Sequence, residues 1–130
     1  MTTDLMYLAF TAALTASLWI PYVVAQSMTN GFLTPQNYKD PTPRALPPWG
    51  RRADRTYINA VETFAPFAAV VIVAHLAGKA NGMTAFWAAW FFWFRLAHAA
   101  VYLAGVPYLR TLFFTAAYVG VLGILWQVLK

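Results

Sequence analysis

Cysteine is absent from the 130 residues, which excludes disulfides, a thiolate nucleophile of the chain's own and any cysteine-based metal site. Charge is scarce as well. Only 10% of the chain is Asp, Glu, Lys or Arg, against roughly a quarter in soluble domains. Histidine occurs twice, as His75 and His98, and two such residues without cysteine predict no metal site. Apolar side chains take the place of the missing charge. Hydrophobic residues make up 61% and aromatics 18% of the chain, more than a soluble fold of this size could hide, so part of the solvent must be lipid. The formal charge of +5 does not mark a nucleic-acid binder, because the basic residues are scattered among membrane-length apolar runs. Membrane lipids, with their anionic headgroups, and anionic small ligands are the expected partners.

The length suits one domain. Leu5 to Gln26 is uncharged and long enough to cross a hydrocarbon core of ~30 Å. A cleaved signal peptide is the rival reading, but the residues before the run hold Asp4 and no basic residue. The run also exceeds a typical signal core, so a retained first helix is expected. Pro21 predicts a kink near its inner end. From Thr29 to Trp49, Pro35, Pro41, Pro43, Pro47 and Pro48 stand among Asn, Asp and Gly, a composition that predicts an extended loop. A second helix follows from about Arg52, interrupted in character only by Glu62 and Pro66, and a turn at Lys79–Gly82 ends it. The third, dense in Phe and Trp, carries Arg95 near its middle and stops at Gly105 and Pro107. The fourth opens at Arg110. The expectation is an all-α integral membrane protein, a four-helix transmembrane bundle with helices at about 5–28, 52–78, 83–105 and 108–129 and a loop at about 29–51.

Lys39, Arg44, Arg51, Arg52 and Arg55 flank the long loop, and Arg110 lies by the third turn, while Lys79 and Lys130 mark the other side. The positive-inside rule therefore predicts a cytoplasmic loop and both termini outside.

Glu62 and Arg95 stand out, because an isolated charge at bilayer depth costs at least ~2.5–3.5 kcal/mol on insertion scales. With the second helix starting at Arg52, both lie roughly 15 Å from the same face at ~1.5 Å per residue, which permits a direct ion pair; the two are expected to interact directly or through a single intervening polar group. Arg55, Asn59 and Glu62, at i, i+4 and i+7, fall within about 60° of a helical wheel, and so do Arg95, His98 and Tyr102 at i, i+3 and i+7. Two polar stripes would then face each other. On these residues alone the pair can also be read as a lock between two helices, with Asn59 and His98 as interhelical hydrogen-bonding groups. Arg55, Arg95 and Arg110 nevertheless converge on one carboxylate, a surplus of cationic donors that implies a bound anion. His75 is expected to be an interfacial or packed histidine. Trp87, Trp90 and Trp93 are expected to face lipid or a neighbouring subunit rather than a cofactor.

The segment Arg55-Thr-Tyr-Ile-Asn59-Ala-Val-Glu62 resembles the pattern Arg-Ala-His/Gln-x-Asn-x-x-Glu of the MAPEG proteins, the membrane-associated proteins in eicosanoid and glutathione metabolism. Arg95-Leu-Ala-His98-Ala-Ala-Val-Tyr102 resembles their third-helix motif, Arg-x-x-His/Tyr-x-x-x-Tyr, and Leu109-Arg110-Thr111 their Arg-Ser/Thr start of the fourth helix. Together the three motifs reach across nearly the whole chain. The resemblance implies a homotrimer whose inter-subunit clefts bind glutathione and open to the cytoplasm. By the same resemblance Arg55, Asn59, Glu62, His98 and Tyr102 would hold the tripeptide, Arg95 would organise Glu62, and Arg110 with Thr111 would stand by the sulfur. The implied activity is that of a bacterial-type inner-membrane glutathione transferase or peroxidase acting on lipophilic electrophiles. Tyr57, Ile58 and Gln26 depart from the family's usual residues, and Phe114 stands where some eicosanoid enzymes have Tyr. These departures keep open a catalytically silent member that binds a lipid or protein partner, and the packing reading keeps open a structural subunit of a larger membrane complex.

Overall fold

Backbone polar groups in lipid have no water to bond, so apolar runs of this length can satisfy them only as helices. The computed structural model describes residues 1–31, 34, 35, 39 and 45–130. Its helices are α1 (Thr3–Ser17), α2 (Trp19–Asn30), α3 (Pro48–Leu76), α4 (Gly82–Ala104) and α5 (Leu109–Leu129), with no strand among the described residues. Residues 32, 33, 36–38 and 40–44 of the expected 29–51 loop lie outside the described residues. Of the part that is described, Thr29, Asn30, Pro35, Lys39 and residues 48–51 are helical.

Local chemistry explains each boundary. Pro21 has no N–H for the carbonyl of Ser17 and its ring crowds that carbonyl. The helix accordingly breaks at Leu18, one turn ahead of the proline, where the Leu18 N–H reaches back to Thr15 O at 3.3 Å. The start of α3 lies at Pro48 rather than at Arg52. A proline in the first turn loses no hydrogen bond there and arrives with its φ preset. Gly50 lies two residues further on, where a Cβ would come within 2.9 Å of Ala25 Cβ, so the close approach of α2 to α3 requires glycine. Pro66 lies inside α3 and leaves the Glu62 carbonyl without its usual donor four residues ahead. The α4 start is a reciprocal cap, with Asn81 accepting from the Met83 and Thr84 amides and Thr84 Oγ1 accepting from the Asn81 N–H at 2.8 Å. Gly105, at φ 78°, closes the helix in the left-handed conformation.

The segments Thr3–Asn30, Pro48–Leu76 and Leu109–Leu129 are each long and apolar enough to cross a membrane. At 23 residues, α4 is long enough too, roughly 34 Å at ~1.5 Å per residue. Arg95, His98 and the weakly hydropathic Trp residues hold down its average apolarity. The broken α1–α2 segment packs on α3 and α4, while α5 packs mainly on α4 and also on α3. Phe67, Val71 and Ala74 of α3, Ala88 and Phe91 of α4, and Ala117, Val121 and Ile124 of α5 form the core. Within it the Phe67 and Phe91 rings stack at 4.0 Å. The tryptophan stripe departs from expectation. Trp87 lies over Gly123, where a Cβ would come within 2.6 Å of its indole, and Trp90 donates Nε1–H to Ala116 O at 2.7 Å. Only Trp93 is exposed. Glycines on α5 admit the rings of α4, which a helical wheel of α4 alone cannot show.

Candidate functional site

Three helices converge at one end of the molecule. Arg55, Ile58, Asn59 and Glu62 of α3, His98 and Tyr102 of α4, and Arg110, Thr111 and Phe114 of α5 line a cleft of about 210 Å³. All but one of the sequence-predicted site residues are in that lining. The stripes form because 3.6 residues per turn put each set on one helix face, and the two faces meet across the α3–α4 contact.

The remaining residue, Arg95, is 4% exposed and lies just behind the cleft. Its Nη2 donates to Asn59 Oδ1 at 2.8 Å. The direct ion pair with Glu62, one of the two expected forms of contact, is not formed, and Glu62 is exposed on the cleft wall. The side-chain directions are the physical reason. Arg95 is buried, the half-buried Asn59 side chain reaches it, and Glu62, three residues further along α3, is exposed. Two buried polar atoms lack a partner among the described residues, Arg95 Nη1 and His98 Nδ1. Buried donors and acceptors of this kind are normally satisfied, so both favour a ligand that brings complementary atoms.

Arg110 is placed by an unusual turn. Tyr108 has φ 69° and ψ −41°, and the Leu109 N–H donates to Pro107 O at 2.8 Å. This is a classic-type γ-turn, a rare and strained conformation for a residue with a side chain. It opens α5 with Arg110 in the first turn, where the positive end of the helix adds to its charge. The guanidinium carbon sits 4.8 Å from the Tyr102 ring centroid, a cation–π contact that steadies an otherwise exposed side chain. The His98 ring lies 5.7 Å from Tyr102 and 6.3 Å from Phe114, which completes an aromatic floor.

Beside the cleft is a smaller space of about 110 Å³, lined by Glu62, Thr63, Pro66, Phe91, Arg95, Phe114, Ala117, Tyr118 and Val121. Sequence reasoning missed it, although Phe114, Ala117, Tyr118 and Val121 recur at helical spacing. A second polar group was also missed. Asp4, buried at the start of α1, lies 2.9 Å from His75 Nε2 and accepts from Thr84 Oγ1 at 3.1 Å. The signal was available: the expected topology put the N-terminus and His75 at the same membrane face.

No curated protein and no solved structure gives a match. The family model of the MAPEG family does match, over residues 5–130, a span that contains every residue of the cleft. The chain therefore belongs to the MAPEG family, the membrane proteins of glutathione and eicosanoid metabolism.

Proposed function

We propose that this protein is a membrane-embedded glutathione transferase or peroxidase acting on lipophilic electrophiles. The observation that carries the reading is the cleft's chemistry. Arg55 and Arg110 offer guanidinium groups, Glu62 a carboxylate, and His98 a buried ring nitrogen without a partner. Glutathione is complementary, with two carboxylates, one ammonium group and a thiol. Arg55 and Arg110 suit its anionic groups, Glu62 its ammonium, and Asn59, His98 and Tyr102 its amides and carboxylates. Arg95 serves through Asn59, which it holds in place. A thiol is mostly protonated at neutral pH, and a guanidinium beside it favours the thiolate. Arg110, with Thr111 next to it at the positive end of α5, is the group that would do so here.

The same reading makes α4 a fourth membrane crossing, with the cleft opening toward the cytoplasm, the α4–α5 turn on that side and both termini outside, in a bacterial inner membrane. It also makes the assembly a homotrimer in which neighbouring copies close the clefts. Glutathione should raise the thermal stability of the purified protein, by about 2.7 kcal/mol when its concentration is 100 times Kd. Arg110→Ala should slow conjugation of a generic aryl halide by roughly 10²–10³-fold, the usual loss for one donor to a developing anion. Binding should weaken less, since the residues on α3 and α4 still hold the peptide. An Arg110→Ala rate equal to wild type across pH would remove that residue from the mechanism. A cleft that neither binds glutathione nor supports conjugation would point to the silent lipid- or partner-binding reading.

A further inference from the structure

Three helix ends meet at the end of the bundle opposite the cleft. The turn after α3, the start of α4 and the end of α5 enclose an open depression of about 300 Å³, lined by Gly78, Lys79, Ala80, Asn81, Gln127 and Lys130. Gln127 is only 8% exposed, and its amide has one fixed orientation. Asn81 Oδ1 accepts from the Met83 and Thr84 amides, which leaves Asn81 Nδ2 to donate to Gln127 Oε1 at 2.9 Å. The N–H groups of Gln127 Nε2 then have no acceptor among the described residues, on a side chain that lines the depression.

Every side-chain acceptor in this lining is already taken. Asn81 Oδ1 and Gln127 Oε1 are used within it, and Lys79 Nζ donates to the Lys130 carbonyl oxygen at 3.2 Å. A carboxylate at that carbonyl would take up one lysine charge and leave the other. Lys130 Nζ has no partner among the described residues. No acid lines the depression. Asp4, at the same end of the bundle, is buried and engaged by Thr2, His75 and Thr84. Lysines that follow helices complement the carbonyl ends there, which accounts for Lys79 and Lys130. It does not account for a buried amide whose N–H groups have no acceptor, since such groups are normally satisfied.

Charged and amide donors of this kind fit an anion with several oxygens, and the surroundings identify its carrier. Leu76 and Leu129 end two membrane-length helices, and both are exposed, as are Met83 and Trp126. This is the level at which lipid headgroups lie and tryptophan is enriched. A phosphate at that level arrives on a phospholipid, with its acyl chains along the exposed apolar side chains. A choline or ethanolamine head would bring an ammonium group that finds no free side-chain acceptor, so the head should be anionic overall.

We propose that this depression is the binding site for the phosphodiester of an anionic phospholipid, held by Gln127 Nε2, Lys130 Nζ and Lys79 Nζ. The site is separate from the cleft and does not rest on the glutathione reading. The test titrates delipidated, detergent-solubilised full-length protein with dioctanoyl phosphatidylglycerol, dioctanoyl phosphatidylcholine or inorganic phosphate, and counts the bound molecules by native mass measurement. Phosphatidylglycerol should bind on the order of tenfold more tightly than either of the others, and Lys130→Gln and Gln127→Glu should each weaken it by a similar factor. Gln127→Glu keeps the oxygen that accepts from Asn81 and replaces the free amide nitrogen with an anionic oxygen. Lys130→Gln, at an exposed position, provides the answer if Gln127→Glu does not fold. Arg51→Gln removes an exposed charge from the far end of the bundle and should change nothing. Equal binding of the two lipids, undiminished binding in Lys130→Gln or in folded Gln127→Glu, or an equal loss in Arg51→Gln would overturn the proposal. Inorganic phosphate bound as tightly as phosphatidylglycerol would overturn the lipid as the carrier.

Discussion

A guanidinium at membrane depth is stable only where polar atoms surround it, and Arg95 finds one of them in Asn59. Equal distance from a membrane face allowed Glu62 as its partner, but the half-buried Asn59 takes that place and Glu62 is exposed. The residues of the site were legible in sequence because charge is so rare in this chain that each ionisable group stands out. Their pairing was not, because it depends on how α3 is turned against α4. The distinction can be measured. Asn59→Leu removes the acceptor and should destabilise the protein by about 1–3 kcal/mol, the usual cost of a buried donor left unpaired. Glu62→Gln, which takes no acceptor from Arg95, should cost less. In the Asn59→Leu background, Arg95→Met should cost less than it does alone, as expected for contacting residues. Equal losses from Asn59→Leu and Glu62→Gln would restore the Glu62 pairing.

Helices were the most legible elements, since apolar length and the punctuation at Asn81, Gly105 and Pro107 set them directly. Features created between helices were not. The seating of Trp87 over Gly123 requires both helices to be in place, and the γ-turn at Tyr108 has no sequence signature because the residue is not glycine. That turn is the element holding Arg110 at the head of α5. A left-handed φ of 69° at a tyrosine that is 87% exposed stores strain with little packing to offset it. Backbone strain of this kind costs about 1–3 kcal/mol, whereas glycine there would lose roughly 0.5–1 kcal/mol to backbone entropy. Tyr108→Gly should therefore raise thermal stability, by up to about 2 kcal/mol, since glycine adopts this φ freely. Arg110 would be held less firmly, so conjugation should slow even as stability rises. A variant less stable than wild type would mean that the exposed ring does contribute packing.

At the scale of the molecule, polar groups gather at the two ends of the bundle. Asp4, His75 and Thr84 tie α1, α3 and α4 together at one end, and Asn81 Nδ2 donates to Gln127 Oε1 at 2.9 Å to bring in α5. Asp4 is thereby paired within a single chain. At the other end Glu62 forms no ion pair among the described residues and lies exposed fourteen residues into a membrane-length helix. A charge facing hydrocarbon costs at least ~2.5–3.5 kcal/mol on insertion scales, so a lone copy would carry this penalty wherever the cleft opens to lipid. Further copies packed over the cleft would remove it, which is the physical case for the proposed homotrimer beyond family resemblance. The threefold number comes from the family; the need for cover comes from Glu62. Native mass measurement in mild detergent should find three copies. Raising the detergent to dissociate them should abolish glutathione-induced stabilisation in step with the loss of trimer, because each cleft then opens to the micelle. A monomer that retains its helical content and binds glutathione with unchanged affinity would show that one chain suffices and that Glu62 is solvated by some other route.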